Sequence, residues 1–349
     1  KINNLLDLFL RQYELQSDKT KVLFSNLKEP KKDYTWEQVF SSINLLTSEI
    51  KKFLKEGDRC LLISENRPEW FISDMSIMLT KSITVPAYTT YIEKDYEFIV
   101  ENCEPSIIFV SNSDQFNKIK NIVKNKKFIK KVYSFENINY KNEEKLQSIE
   151  SLFFKKNFEN NFTKLKITRK DPACIIYTSG TQGNPKGVVL SHGGILNNCE
   201  GAIELLKPLI KNNQTRFLTW LPLSHSYEHT VQFVQISVGA KIFYAESIEK
   251  LIKNMNDCKP QLMTAVPRFY QNLFQKINAS FNKATGLKKS LVLKMLELGT
   301  KKINKQPLTI IEKLIDNILE KIVRKKIKSQ FGGELKTFVS GGGALDKEV

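Results

Sequence analysis

Short apolar runs alternate with amphipathic stretches along most of the chain. The apolar runs are rich in β-branched and aromatic residues, which predicts strands at Cys60–Ile63, Ser106–Val110, Cys174–Tyr177, Arg216–Leu221, Lys241–Tyr244 and Lys336–Val339. A capping box that begins at Thr35 predicts a helix to about Leu54, and Pro68 opens another helix that runs to Leu79. Residues 111–170 are predicted to hold one more α/β unit with surface loops. This alternation is typical of an α/β fold.

The pattern changes to long helices between about residues 281 and 331. Apolar residues recur there at helical spacing, at Ile311, Leu314, Ile315, Ile318, Leu319 and Ile322. Charged residues occupy positions between them, among them Lys313 and Glu320. We therefore expect a helical insertion within an otherwise α/β chain.

Composition narrows the class of protein. The chain has 349 residues, 41% of them hydrophobic and 26% charged, which excludes a disordered chain. Its five cysteines form no C-x-x-C pair, so neither a disulfide framework nor a zinc ribbon is supported. Apolar runs are too short for a signal peptide or a transmembrane helix. We expect a cytoplasmic protein.

The positive charge is concentrated in the helical block. The formal net charge is +17, and about half of the excess falls between Lys283 and Gln330. A basic amphipathic block suits peripheral contact with the anionic inner face of a membrane, and a solvated helix face is the alternative. Most of the basic residues are lysines, which recognise bases less well than arginines do, so we expect no nucleic-acid partner.

One loop carries the strongest chemical signal. Residues 174–188 run from a buried-type strand into a loop of glycines and hydroxyl residues, followed by Lys186 and a second apolar run. Glycines let consecutive N–H groups point into one concavity, hydroxyls add donors, and the ammonium adds charge, which together suit a polyphosphate. Gly187 follows Lys186, so the Gly-Lys-Ser/Thr of a Walker A loop is not met. A flexible turn between strands is the alternative.

Tyr177 to Gly187 resembles the signature loop of the adenylate-forming superfamily, which includes acyl-CoA synthetases, luciferases and peptide-synthetase adenylation domains. Gln182 stands where that family usually has a second threonine. The family's loop holds the β- and γ-phosphates of ATP. The resemblance therefore implies phosphate binding by Thr178, Ser179, Gly180, Thr181, Gly183 and Lys186, with Thr181 at the metal.

Further segments keep the order of that family's motifs. Leu221 to His229 resembles the next motif, in the form found in long-chain fatty acyl-CoA synthetases, which implies that His225 lies beside the acyl-adenylate as a catalytic residue. Val339 to Leu345 resembles the turn that contacts adenine, which implies that role for Gly341, Gly342 and Gly343. Gly343-Ala344 stands where alanine-proline is usual.

Two other segments resemble the long-chain subgroup. Ala265 to Tyr270 resembles its valine-proline-arginine segment, and Glu65 to Trp70 resembles a segment to which no catalytic role is assigned. The resemblance implies an α/β fold with mixed β-sheets flanked by helices, namely the large N-terminal domain of an adenylate-forming enzyme. It also implies ATP-dependent conversion of a long-chain fatty acid to acyl-adenylate and then to acyl-CoA, with ATP, Mg²⁺ and coenzyme A.

Several of the family's parts have no match in this sequence. These are the motif with the magnesium-binding glutamate, the ribose-binding aspartate, the hinge, and the small C-terminal domain with its lysine. We therefore expect residues 1–349 to be an incomplete N-terminal AMP-binding domain of a longer long-chain fatty acid–CoA ligase, inactive or impaired in isolation.

Three alternatives remain open. The first is an acid–thiol ligase for a medium-chain or aromatic acid, and the second is a non-catalytic module that binds a nucleotide or an acyl group. The third is a zinc hydrolase, because His225 to His229 also fits H-x-x-E-H, with Glu228 as a general base.

Overall fold

The computed structural model describes residues 2–16, 19–25, 33–140, 144–154, 158–164, 166–178, 185–210, 214–283 and 285–345. The chain forms two compact units. Unit 1 comprises residues 1–215 and 219–246, and unit 2 comprises residues 216–218 and 247–349.

Strands and helices alternate along the chain, as predicted. The strands are β1 (Lys21–Ser25), β2 (Asp33–Thr35), β3 (Arg59–Ile63), β4 (Ile83–Ala87), β5 (Ile107–Val110), β6 (Lys131–Ser134), β7 (Leu146–Ser148), β8 (Pro172–Thr178), β9 (Lys186–Ser191), β10 (Arg216–Thr219), β11 (Lys241–Tyr244), β12 (Leu262–Ala265) and β13 (Thr337–Ser340). The helices are α1 (Leu5–Leu15), α2 (Trp36–Ile50), α3 (Pro68–Leu79), α4 (Glu93–Cys103), α5 (Ser113–Asn117), α6 (Lys120–Asn125), α7 (His192–Leu206), α8 (Ser226–Ser237), α9 (Leu251–Cys258), α10 (Pro267–Asn282), α11 (Gly286–Ile303), α12 (Ile310–Leu319) and α13 (Lys325–Ser329).

A seven-stranded sheet forms the centre of unit 1. Its order is β7-β6-β5-β3-β4-β8-β9, and all neighbours are parallel except β8 and β9, which are antiparallel. Its central strands are buried, as in β3, where Cys60 to Ile63 are fully inaccessible. Such continuous apolar strands are expected when helices cover both faces of a parallel sheet.

Two smaller groups of strands complete the described sheets. In unit 1, β1 pairs parallel with β11 and antiparallel with β2. In unit 2, β12 pairs parallel with both β10 and β13. Parallel and antiparallel pairs therefore occur together, which makes the sheets mixed as expected.

All six predicted strands are present, with small differences at their ends. The predicted strand from Arg216 to Leu221 ends at Thr219. Beyond that residue the carbonyl of Leu221 accepts a hydrogen bond from the side chain of Asn66 instead of from a neighbouring strand. The capping box at Thr35 is confirmed, but α2 ends at Ile50 instead of about Leu54. There the N–H of Phe53 donates to the carbonyl of Ile50 at 3.0 Å in a tighter turn.

Unit 2 contains the long helices predicted between residues 281 and 331. Helices α11 and α12 are followed by a π-helical segment, Glu320–Arg324, and then by α13. Leu319 is fully buried and packs with Met295 and Leu298 of α11. The apolar pattern of α12 and the π-helical segment therefore has a buried and an exposed part, since Ile311, Leu314 and Ile318 of α12 and Ile322 of the π-helical segment remain 53–69% exposed. None of the described helices has the length and apolar character needed to cross a bilayer.

Candidate functional site

The predicted phosphate loop connects the two antiparallel strands β8 and β9. Thr178, the last residue of β8, and Lys186, the first of β9, are direct cross-strand partners, so the hairpin holds both ends of the loop together. Both residues are exposed. The other predicted phosphate ligands, Ser179, Gly180, Thr181 and Gly183, lie outside the described residues, and so does the proposed metal contact of Thr181.

Gly187 has a packing role beside this loop. A Cβ atom at Gly187 would lie 2.9 Å from Cγ2 of Ile175 and 3.3 Å from Cζ of Tyr177. Both contacts are closer than a carbon side chain normally allows. A glycine after Lys186 is therefore needed for β9 to lie close against the ring of Tyr177.

A cavity of about 400 Å³ in unit 1 brings two predicted residues together. Thr178 and His225 both line it, although 47 positions separate them in the sequence. The remaining lining residues are Tyr88, Thr90, Tyr91, Ile176, Tyr177 and Ser226. The cavity thus lies between the end of the β8–β9 hairpin and the start of α8.

His225 is the N-cap of α8, and its ring nitrogen Nδ1 accepts a hydrogen bond of 3.2 Å from the N–H of Tyr227. An accepting Nδ1 leaves the proton of a neutral imidazole on Nε2, so Nε2 is a hydrogen-bond donor. The ring also lies at the positive end of the α8 dipole. Both features favour an anionic group in the cavity, such as a carboxylate or a phosphate.

The tyrosines around the cavity are neutral hydrogen-bonding groups. Burial raises the pKa of Tyr88, Tyr91 and Tyr177 above the ordinary value for a phenol. The hydroxyl of Tyr177 donates to Oδ1 of Asn102 at 2.5 Å, which ties β8 to α4. This contact fixes the position of the strand that ends in Thr178.

Asn66 holds the loop that precedes His225. Its Nδ2 donates to the carbonyl of Leu221 at 2.7 Å, and its Oδ1 accepts from the N–H of Leu223 at 3.0 Å. The side chain therefore binds both the carbonyl of Leu221 and the N–H of Leu223. We call this pair of hydrogen bonds the Asn66 clamp. The sequence predicts no catalytic role for Glu65–Trp70, and the resemblance of this segment to the long-chain subgroup is the signal in the sequence that points to it.

A buried ion pair anchors α8 one turn after His225. Nε2 of His229 lies 2.7 Å from Oδ2 of Asp74 in α3, and both side chains are almost completely buried. Burial alone would lower the pKa of His229, but the Asp74 carboxylate and the Cys174 side chain outweigh it and raise that pKa. The pair fixes α8 against α3 and so supports the position of His225.

The same contact argues against a zinc site at H-x-x-E-H. His229 points into the protein core toward Asp74, whereas His225 lines the exposed cavity. Within the ranges that the structure describes, no group of three or more His, Cys, Asp and Glu residues is placed to hold a metal ion.

The glycines predicted to contact adenine lie in unit 2, directly after β13. The N–H of Gly341 donates to the carbonyl of Ala265 at 3.2 Å, and Gly342 has a φ of +76°, which favours glycine. Phe338 of β13 packs against Phe269 and Tyr270 of α10, with ring centroids 5.7 Å apart in both pairs. The Ala265–Tyr270 segment therefore supports the strand that carries the glycine turn.

Comparison with known proteins agrees with these motifs. A family model described as AMP-binding enzyme matches residues 9–349. The chain is 27% identical over 332 residues to long chain acyl-CoA synthetase 4 of Arabidopsis thaliana, which covers 90% of this chain and 48% of that protein. It is also 27% identical over 369 residues to long-chain-fatty-acid–CoA ligase 1 of Cavia porcellus, which covers 100% of this chain and 51% of that protein. The chain thus spans about half the length of these curated relatives.

The fold is also found in solved structures. The inhibitor-bound N-terminal domain of FACL13 from Mycobacterium tuberculosis superposes with a TM-score of 0.69 at 14% identity, over 99% of this chain and 72% of that one. ATP-bound MatB from Rhodopseudomonas palustris superposes with a TM-score of 0.66 at 17% identity, over 98% of this chain and 55% of that one. The predicted fold class is confirmed.

Proposed function

The chain belongs to the AMP-binding enzyme family, and we propose that the protein containing it converts a fatty acid and ATP to an acyl-adenylate, then transfers the acyl group to coenzyme A. The observation that carries this proposal is the single cavity lined by both Thr178 and His225. It supports the proposal because the residue that begins the candidate phosphate loop and a hydrogen-bond donor for an anionic group line the same cavity. Acyl-adenylate formation needs these two elements next to each other.

The roles of the residues follow from their chemistry. The acid's carboxylate is already a nucleophile, so the protein's task is to position it and to stabilise charge at the phosphates. Thr178 and Lys186, with Ser179, Gly180, Thr181 and Gly183, would hold the phosphates that leave as pyrophosphate. Nε2 of His225 would donate to the reacting carboxylate. A hydroxyl, backbone N–H groups and an ammonium fit a polyphosphate, and Mg²⁺ held at Thr181 would neutralise part of its charge.

We further propose that Gly341, Gly342 and Gly343 contact adenine. Their backbone is accessible after β13, and only a hydrogen side chain at Gly342 permits its φ of +76° without strain. Residues 1–349 would then be an incomplete N-terminal AMP-binding domain with a basic helical insertion at about 281–331, and the isolated chain would have little activity. An isolated chain that turns over as fast as the full-length protein would contradict this domain proposal.

A long-chain fatty acid is the substrate that the relatives favour, since their names specify long-chain acyl-CoA synthetases or ligases. Acid-dependent exchange of pyrophosphate into ATP, measured on the full-length protein with acids of increasing chain length, tests this substrate. We expect the highest rate with long-chain acids such as palmitate. Fastest exchange with medium-chain or aromatic acids would favour the alternative ligase, and nucleotide binding without exchange for any acid would favour a non-catalytic module.

We also propose that the protein is cytoplasmic and that it makes peripheral contact with an anionic membrane. The support is an apolar stripe formed by Ile311, Leu314 and Ile318 of α12 and by Ile322 of the π-helical segment, which leaves apolar side chains exposed within the most basic part of the chain. Basic residues around an apolar stripe complement a negatively charged lipid surface.

Vesicle binding tests the membrane contact. We expect the full-length protein to sediment with vesicles of anionic lipid at low salt, less at high salt, and hardly with zwitterionic vesicles. The double variant Leu314→Gln/Ile318→Gln should lose this binding, and Ile252→Gln, which changes another exposed apolar residue of unit 2, should keep it. No sedimentation of the unmodified protein with anionic vesicles would overturn this proposal.

A further inference from the structure

A second cavity lies within the helical block of unit 2. It measures about 580 Å³, within the roughly 300–1,000 Å³ typical of small-molecule sites. One wall is formed by α11 and the other by the π-helical segment and α13. It shares no residue with the cavity that contains His225.

The lining of this cavity is mainly aliphatic and aromatic. Met295 and Phe331 are buried, and Leu296, Ile303, Ile327 and Leu335 extend the apolar wall, with Leu296 and Ile303 exposed. Gly299 lies near the C-terminal end of α11, and a Cβ atom there would meet nothing within 4 Å. Open space beside the glycine of one helix is suited to an aliphatic chain lying across that helix.

The charged residues on the other wall are Glu320, Arg324 and Lys328. Arg324 is paired with Glu320 at 3.3 Å, and also with Asp316 at 2.7 Å outside the lining. Glu320 and Arg324 balance each other, and Lys328 adds a positive charge to the lining. The cavity therefore combines an apolar wall with one excess cation, which complements an amphiphile with a negative head group.

The irregular helix supports a binding role. The segment from Glu320 to Arg324 is π-helical, and it contributes both Glu320 and Arg324 to the cavity. Such segments are rare and frequently occur at functional sites.

We propose that this cavity is a binding site for a long-chain carboxylate, separate from the proposed catalytic cavity. The alkyl chain lies against Leu296, Gly299 and Ile303, and the carboxylate is held by Lys328. The choice of ligand follows from the apolar lining and the charge, and binding here requires neither ATP nor coenzyme A.

Equilibrium dialysis of labelled palmitate with the full-length protein, without nucleotide, tests the site. Gly299→Leu fills the open space without a backbone conflict, and Gly201→Leu is a matched control because Gly201 is also a helical glycine with nothing within 4 Å of its Cβ position. We expect Gly299→Leu to bind one equivalent of palmitate less than both the unmodified protein and Gly201→Leu. Both variants should stay folded, since leucine favours a helix more than glycine does.

The head group is tested separately. Lys328→Gln should weaken palmitate binding at this site about threefold and leave hexadecanol binding unchanged, because only palmitate has a charge for Lys328 to pair with. Equal palmitate stoichiometry in Gly299→Leu and Gly201→Leu would overturn the proposal. Its failure is distinct from failure of the proposed function, because pyrophosphate exchange by Gly299→Leu reports on the catalytic cavity independently.

Discussion

The two histidines of the H-x-x-E-H pattern lie one helical turn apart and have opposite surroundings. His225 caps α8 and lines the cavity, whereas His229 is buried against Asp74. The sequence pattern that suggests a shared metal therefore corresponds to a cavity residue and a structural anchor. Removing Asp74 alone would leave His229 unpaired in the core, which is why such pairs are more costly to break than to replace as a unit.

A third histidine makes the stability of unit 1 depend on pH. His192 is 1% exposed at the start of α7, and its Nδ1 accepts from the N–H of Leu5 at 3.3 Å. Burial lowers the pKa of His192 to about 4, against smaller opposite effects of Asp74, Asp171 and Asp7. The unfolded state therefore binds this proton more readily than the folded state does.

The pKa of His192 is lower in the folded state than in the unfolded state. The stabilisation of the folded state by neutral His192 is therefore present above about pH 6.5 and is lost as the pH falls toward about 4. We expect the free energy of unfolding to fall by up to about 3 kcal/mol over this window from His192 alone. Urea denaturation of the protein and of His192→Gln at several pH values measures it, with Asn198→Gln on the same helix as the control. A slope that His192→Gln leaves unchanged would contradict this assignment.

At the scale of elements, the position of α8 depends on the Asn66 clamp. Asn66→Leu removes two hydrogen bonds to the backbone of Leu221 and Leu223, each worth about 1 kcal/mol. The loop before His225 would then be less well fixed, and we expect the rate of acid-dependent pyrophosphate exchange to fall by about tenfold. Asn198→Leu, which loses only one bond to its own helix, should exchange at the normal rate. Equal rates in the two variants would show that the clamp has no role in catalysis.

Local elements were predictable from the sequence, and their long-range partners were not. The strand before Thr178 and the apolar run after Lys186 indicate two strands around a loop, and the structure pairs them as a hairpin. The partners of Asn66, by contrast, lie 155 and 157 residues further along the chain, and no local pattern relates them. The same holds for α12, where helical spacing identified the apolar positions but only packing against α11 decides which of them, such as Leu319, are buried.

At the scale of the whole molecule, the central claim is that the β8–β9 hairpin and α8 of unit 1 together catalyse the formation of an acyl-adenylate from a fatty acid and ATP. The hairpin provides Thr178 and Lys186, and α8 provides His225. Their chemistry predicts a specific dependence on Lys186, whose ammonium is the one positive side chain of the proposed phosphate loop between Thr178 and Gly187.

The most direct test measures acyl-adenylate formed by the full-length protein from palmitate and ATP labelled at the α-phosphate, without coenzyme A. We predict that the unmodified protein and Lys170→Met, which changes an exposed lysine before β8, form it at similar rates. Lys186→Met should be slower by at least about a hundredfold, as expected when a group that stabilises the transition state is removed. No acyl-adenylate from the unmodified protein, or equal rates in Lys186→Met and Lys170→Met, would contradict the account.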